Sequence, residues 1–185
     1  RKIFREPSRE LSKSEYAKLL QAAKTEGKER LLLIMETICV TGIRVSEVKY
    51  ITKESLNCGK AEITLKGKVR LILIPQKLCR KLNKYARKKK ITSGEIFLTG
   101  GGKSLSRKQI WAEMKALCKK ANVEPSKVFP HNLRHLFAKS FYHISRDIAK
   151  LADVLGHSSI ETTRIYLRSS GEEHARLLDR LHLLL

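Results

Sequence analysis

From Ser12 onwards the apolar positions recur at helical spacing, except across one stretch near the middle of the chain. Ser12 followed three residues later by Glu15 is a capping box, opening a helix to about Lys24. Residues 29–41, ERLLLIMETICVT, form a strongly apolar helix that Gly42 should terminate. A short helix then begins near Arg44. The exception is ITKESLNCGKAEITLKGKVRLILIP (51–75), which alternates in places, is rich in Ile, Leu and Val, and has turn signals at Gly59 and Gly67. It predicts three short antiparallel strands, the last closed by Pro75. Helical patterning resumes over roughly 76–90, 106–121, 131–143, 147–155, 159–168 and 171–183, with capping boxes at Ser106/Gln109, Ser158/Glu161 and Ser170/Glu173. There is no internal repeat. The chain of 185 residues suffices for one sizeable core and not for two ordinary domains. The fold class is therefore mainly α, with a small three-stranded antiparallel β-sheet at one edge. Residues 1–10, charged and carrying Pro7, read as a linker, and 11–185 as the domain.

Charge changes the picture. Lys and Arg total 39 against 18 acidic residues, a formal +21. Such an excess points to a polyanionic partner, nucleic acid first, with a merely solvated basic surface as the alternative. Cys39, Cys58, Cys79 and Cys118 are far apart with no C-x-x-C, which argues against a zinc ribbon and a disulfide framework. Three of them fall in apolar helical patterns and read as free buried thiols. No apolar span reaches membrane length and the N-terminus is not a signal peptide. The expectation is a bacterial cytoplasmic, nucleoid-associated protein without a membrane role. With no Met at position 1, it also reads as a piece of something longer.

Residues suited to phosphate chemistry occur at four separated places. In TGIRVSEV (41–48), Arg44 follows the helix-ending glycine and Glu47 lies one turn on. The arginine can present its planar fork to a phosphate with the carboxylate orienting it, or the two can form a plain surface pair. In HNLRHLF (131–137), His131 and Arg134 stand one turn apart near a helix start after Pro130. His131 and His135 also mimic the metal pair of H-E-x-x-H, but Asn132 stands where the glutamate is needed, so no metal is expected. In LKGKVRL (65–71), a tight turn lifts Lys66 and Lys68 off the sheet. Either could contact phosphate, or protonate a leaving alkoxide. In LGHSSIETTRIYL (155–167), Ile160, Thr163 and Leu167 share one helical face, and Tyr166 lies about 120° from Ile160, off that stripe.

These four motifs, in this order and spacing, resemble the catalytic domain of the tyrosine recombinases, the phage integrase family, from about Leu11 to Leu183. The flavour is most like the integrases of conjugative transposons. The resemblance implies the fold of that domain and a role for each residue. Arg44 matches the first catalytic arginine and Glu47 its supporting acid. Lys66 matches the catalytic lysine, with Lys68 the second candidate. His131 and Arg134 match the H-x-x-R pair, and His157 the position taken by His or Trp. Tyr166, nine residues further, matches the nucleophile. The implied reaction is cofactor-free transesterification of a DNA phosphodiester through a 3′-phosphotyrosyl intermediate, for integration and excision of a mobile element. A type IB topoisomerase and a non-catalytic basic DNA-binding protein are the rival readings. Double-stranded DNA would be met by Lys68, Arg70, Ser106, Arg107 and Gln109, the last three at the start of a helix that could equally be a capped surface element. Leu177, Leu178 and Leu181 lie on one side of the last helix (171–185). They pack either on their own core or, as the resemblance implies, on a neighbour in a homo-tetramer on DNA. The resemblance also implies an N-terminal DNA-binding domain before the linker.

Overall fold

The apolar run at 29–41 becomes the axis of the molecule. In the computed structural model, which describes residues 9–157, 159–167 and 171–183, helix α2 spans Glu29–Thr41 after helix α1 at Lys13–Thr25. Leu33, Ile34, Met35 and Ile38 of α2 are buried, so this helix is surrounded rather than laid on a surface. Its two inward hydroxyls have nowhere to find water and turn back on the helix: Thr37 donates to the Leu33 carbonyl and Thr41 to that of Thr37, each at 2.6 Å. The Ser12–Glu15 capping box forms as expected, with both reciprocal bonds at 3.0–3.1 Å.

The 51–75 stretch yields two strands, not three. β1 (Lys60–Leu65) pairs antiparallel with β2 (Lys68–Leu73), placing Ala61 opposite Ile72 and Ile63 opposite Arg70. The segment expected as the first strand is helix α3, Lys53–Cys58. The reason is local. Thr52 and Ser55 cap one another reciprocally at 2.9 and 3.1 Å, and Gly59, at φ 71°, closes the helix left-handed. Thr52 and Glu95 still share an isolated bridge beside it.

Helices α4 (Gln76–Lys88), α5 (Arg107–Ala121) and α6 (Pro130–Ser145) pack with α1 about α2. Then follow α7 (Ile148–Leu155), α8 (Ile160–Tyr166) and α9 (Gly171–Asp179). α6 serves two cores. Leu133 belongs to the main one, while Phe137 and Ala138 join Leu151 and Leu155 of α7 in a second. Ser106 caps α5 by accepting the Gln109 N–H at 3.0 Å, which is one half of the expected capping box. α8 is capped by Ser159, one residue later than expected, through the Thr162 N–H at 3.3 Å. Ser158 and Ser170 lie outside the described residues, as does most of the 1–10 segment. Of the cysteines only Cys118 is buried; Cys39 and Cys79 are half-buried and Cys58 is exposed, all four as thiols. No helix among the described residues is long and apolar enough to cross a membrane.

Gly42 joins the axis to the site. It ends α2 at φ 75°, and a β-carbon there would stand 2.4 Å from the Phe137 ring of α6. Gly42→Ala should therefore combine left-handed strain with a forced shift of a packed ring. Urea denaturation should show a loss of about 2–4 kcal/mol, with the m-value unchanged.

Candidate active site

Glu47 organises the first corner. Arg44 precedes a 3-10 helix, Val45–Tyr50, whose Glu47 carboxylate turns back and accepts the Arg44 backbone N–H at 2.7 Å. That carboxylate is 7% exposed and carries two guanidinium groups: Arg44 Nη1 at 3.6 Å and Arg70 Nη2, from β2, at 2.8 Å. Arg44 keeps a partly exposed face towards the cleft. Arg70, read from sequence as a DNA contact, is only 14% exposed at its side chain and turned inward.

Arg134 forms the second corner. It lies within α6 at 1% exposure, and its Nη2 donates to the Leu155 carbonyl at the C-terminal end of α7. A helix C-terminus concentrates partial negative charge, which suits a buried cation. The same nitrogen lies 3.5 Å from His157 Nε2. α7 ends at Gly156, φ 75°, and this reversal delivers His157 to that point. His157 Nδ1 meets the Thr163 hydroxyl of α8 at 3.0 Å, and Thr163 is fully buried. A guanidinium offers only N–H donors, so the Nε2 facing it is the acceptor. Nδ1 therefore carries the ring proton and donates to Thr163. Burial, then the charges of Arg134, Arg44, Arg70 and His131, push His157 down to about 4, so it is neutral at pH 7.

His131, exposed near the N-terminus of α6, meets His135 edge to face with ring centres 4.7 Å apart. Arg44, His131 and Arg134 line one cleft of about 430 Å³. α5 contributes Arg107, Lys108 and Trp111 to its wall, and Phe129 and Pro130 complete the apolar part. Trp111, 48% exposed with the Lys115 ammonium 5.0 Å from its ring, was not picked out from the sequence. The signal was there: a tryptophan one turn after Arg107 on an otherwise polar helix start. Ser106 and Gln109 form the cap beneath.

Lys66 and Lys68 do not line this cleft. They are exposed at the hairpin tip, where Lys66 (φ 51°) and Gly67 (φ 76°) make a two-residue turn with both φ positive, as a type I′ hairpin requires. Tyr166 is the last residue of α8, and its side chain lies outside the described part of the structure. α8 packs on α6 and α7, so its C-terminal end is tied to the elements that carry Arg134 and His157. The expected stripe holds at Thr163 and Leu167, but Ile160 is exposed. It sits in the first turn, ahead of the packed part of the helix. Among the described residues, no group of three or more His, Cys, Asp or Glu is placed to hold a metal ion.

Guanidinium groups and a histidine from distant segments thus line one cleft, with His157 held against Arg134. The chain belongs to the phage integrase family, whose model matches residues 9–173. It is 32% identical to the tyrosine recombinase XerA of Pyrococcus furiosus over 191 residues, covering 99% of this chain and 65% of that protein. The chain therefore spans just under two thirds of that relative's length. The crystal structure of XerA recombinase superposes with a TM-score of 0.79 at 24% identity, over 95% of this chain and 64% of that one. The Tn1549 transposon integrase, solved with transposon right end DNA, does so with a TM-score of 0.70 at 16% identity, over 97% and 68%. The mainly helical recombinase catalytic-domain fold is the fold of this chain.

A testable consequence concerns acid. The unfolded chain protonates His157 near 6.5 and the folded one near 4, so below about 6.5 the unfolded state binds more protons. Stability from this residue is constant above about 6.5 and falls as the pH drops through about 4. Urea midpoints across pH 4–8 should decline more steeply on acidification in the wild type than in His157→Asn.

Proposed function

We propose that this chain is the catalytic part of a site-specific DNA recombinase that cleaves and rejoins strands through Tyr166. The observation carrying this reading is the convergence of Arg44, His131 and Arg134 on one cleft, with His157 held against Arg134 and α8, which bears Tyr166, packed on α6 and α7. In the proposed reaction the Tyr166 oxygen attacks phosphorus and loses its proton, a 3′-phosphotyrosyl bond forms, and the P–O5′ bond breaks. The energy of the broken bond is retained in the new one, and a second strand's hydroxyl reverses the step.

An ordinary tyrosine, with a pKa of about 10, is only about 0.1% phenolate at pH 7. It needs a base or a cationic setting, and Arg44 and Arg134 are the proposed cations, with the neutral His157 held beside Arg134. Arg44 and Arg134 take the non-bridging oxygens, where charge builds in the transition state. Each such donor is worth roughly 3–4 kcal/mol. The leaving 5′-oxygen needs a proton, and Lys66 is the proposed donor, with Lys68 in reserve. The exposed hairpin tip suits that role if DNA draws it over the cleft. Glu47 supports Arg44.

Lys68, Ser106, Arg107 and Gln109 are the proposed contacts to double-stranded DNA, Arg107 being supported by its place in the cleft wall. Leu177 and Leu178 of α9, and Leu181 in the turn just beyond it, are 53–66% exposed, which favours docking on a second copy over packing on the chain's own core. A tetramer on DNA is the assembly this would build, with residues 1–10 leading from a further DNA-binding domain. The proposed role is integration and excision of a mobile element, carried out on bacterial DNA in the cytoplasm.

The test uses a nicked suicide substrate. Wild-type protein should form a covalent DNA complex, and Tyr166→Phe should form none while binding DNA with unchanged affinity. Lack of any adduct with the wild type would sink the enzymatic reading. Arg134→Lys should slow adduct formation by about 10² to 10³. Affinity should fall steeply between 50 and 200 mM salt, roughly a thousandfold or more if six or more phosphates are contacted.

A further inference from the structure

Arg70 is out of place by the pattern of its own strand. β2 turns Arg70 and Ile72 inward, and Ile72 is buried as such a position demands. Arg70 instead buries a cation, with its Nε lacking any hydrogen-bond partner among the described residues. Isoleucine or leucine would fill the site without that cost, so packing alone does not account for an arginine here. Its surroundings do. One end of the guanidinium donates to Glu47 Oε1 at 2.8 Å. Its flank lies against Gly156, where a β-carbon would stand 2.5 Å from Arg70 Nη1 and 2.6 Å from its Cδ. The glycine before His157 is therefore both a helix terminator and a seat for this side chain.

We propose that Arg70 is a positioning residue of the reaction centre. Its guanidinium, clamped between the Glu47 carboxylate and the bare face of Gly156, holds the Lys66 hairpin, the Arg44 turn and the His157 loop in one register. Three separated pieces of chain meet at this side chain, and each carries a group of the proposed reaction. A lysine could keep the charge but could not both reach Glu47 and lie flat on Gly156. Arg70 also adds to the positive field on His157, alongside Arg134 and His131 of α6 and Arg44, with the Thr163 hydroxyl of α8 as the neutral neighbour.

The inference rests on the recombinase reading, and the experiment separates the two. Suicide-substrate cleavage, DNA affinity with its salt dependence, and NMR titration of the His157 ring are compared for the wild type, Arg70→Gln, Arg70→Lys and Gly156→Ala. Arg70→Gln should slow cleavage about a hundredfold, the scale of an ångström-sized misplacement, with affinity and salt slope unchanged. Its His157 should take up a proton at higher pH than in the wild type. Arg70→Lys should cleave at an intermediate rate. Gly156→Ala should reproduce the glutamine defect, and the double variant should be no slower than Arg70→Gln alone, because both break one clamp. Wild-type cleavage by Arg70→Gln with His157 titrating normally would overturn the proposal. So would weaker DNA binding with a salt slope reduced by about one, which would make Arg70 a phosphate contact. If Arg70→Gln does not fold, Arg70→Lys decides, and wild-type cleavage by that variant is the overturning result. If the wild type itself forms no adduct, the recombinase reading fails, and the His157 titration still judges the clamp.

Discussion

Several guanidinium groups must be held close together before any anion arrives to neutralise them. Arg44, Arg70 and Arg134 all act on His157 through their charge, and one buried carboxylate, Glu47, is paired with two of the three. Removing one partner of a buried ion pair costs about 3–5 kcal/mol because the other is left uncompensated. The remaining arginine, Arg134, donates to the Leu155 carbonyl at the negative end of α7. A helix terminus offers the buried cation a partial negative charge, which repels a phosphate less than a carboxylate would. Much of the architecture follows from these two solutions. α7 must end at Leu155, and β2 must cross beside the 3-10 helix.

The helix ends do the aiming. Gly42 brings α2 to a stop against Phe137 and turns the chain into Arg44, while Gly156 stops α7 and turns it into His157. Both glycines adopt left-handed conformations, and a side chain added at either would collide with a group of the site or its support. His157 is then fixed from two directions, by Arg134 at Nε2 and Thr163 at Nδ1, which sets its tautomer as well as its place. Through Thr163 the orientation of that ring is joined to α8, the helix that ends in Tyr166.

Much of this was legible in the sequence because the signals are local. Ser12 with Glu15, and Ser106 with Gln109, mark helix starts through bonds made within one turn, and Gly42 marks a helix end in the same way. The third strand failed for a related reason. Residues 51–58 alternate loosely enough to read as extended, but the Thr52–Ser55 cap and Gly59 outweigh that pattern over so short a run. Arg70 was legible as a cation and not as a buried one, since its partners Glu47 and Gly156 lie 23 and 86 positions away. Trp111 escaped because its exposure depends on how α5 packs on α1, α2 and the 3-10 helix. The candidate site residues were found by motif, whereas the arrangement that joins them is a long-range property.

In the proposed reaction these converging cations serve an attack by Tyr166 on a DNA phosphate. Mass spectrometry of the proteolysed adduct, trapped on a suicide substrate, tests it most directly by locating the residue bonded to DNA. A single modified peptide is expected, in which Tyr166 carries the 3′-phosphoryl nucleotide. Attachment at any other residue, or through a 5′-phosphate, would contradict it.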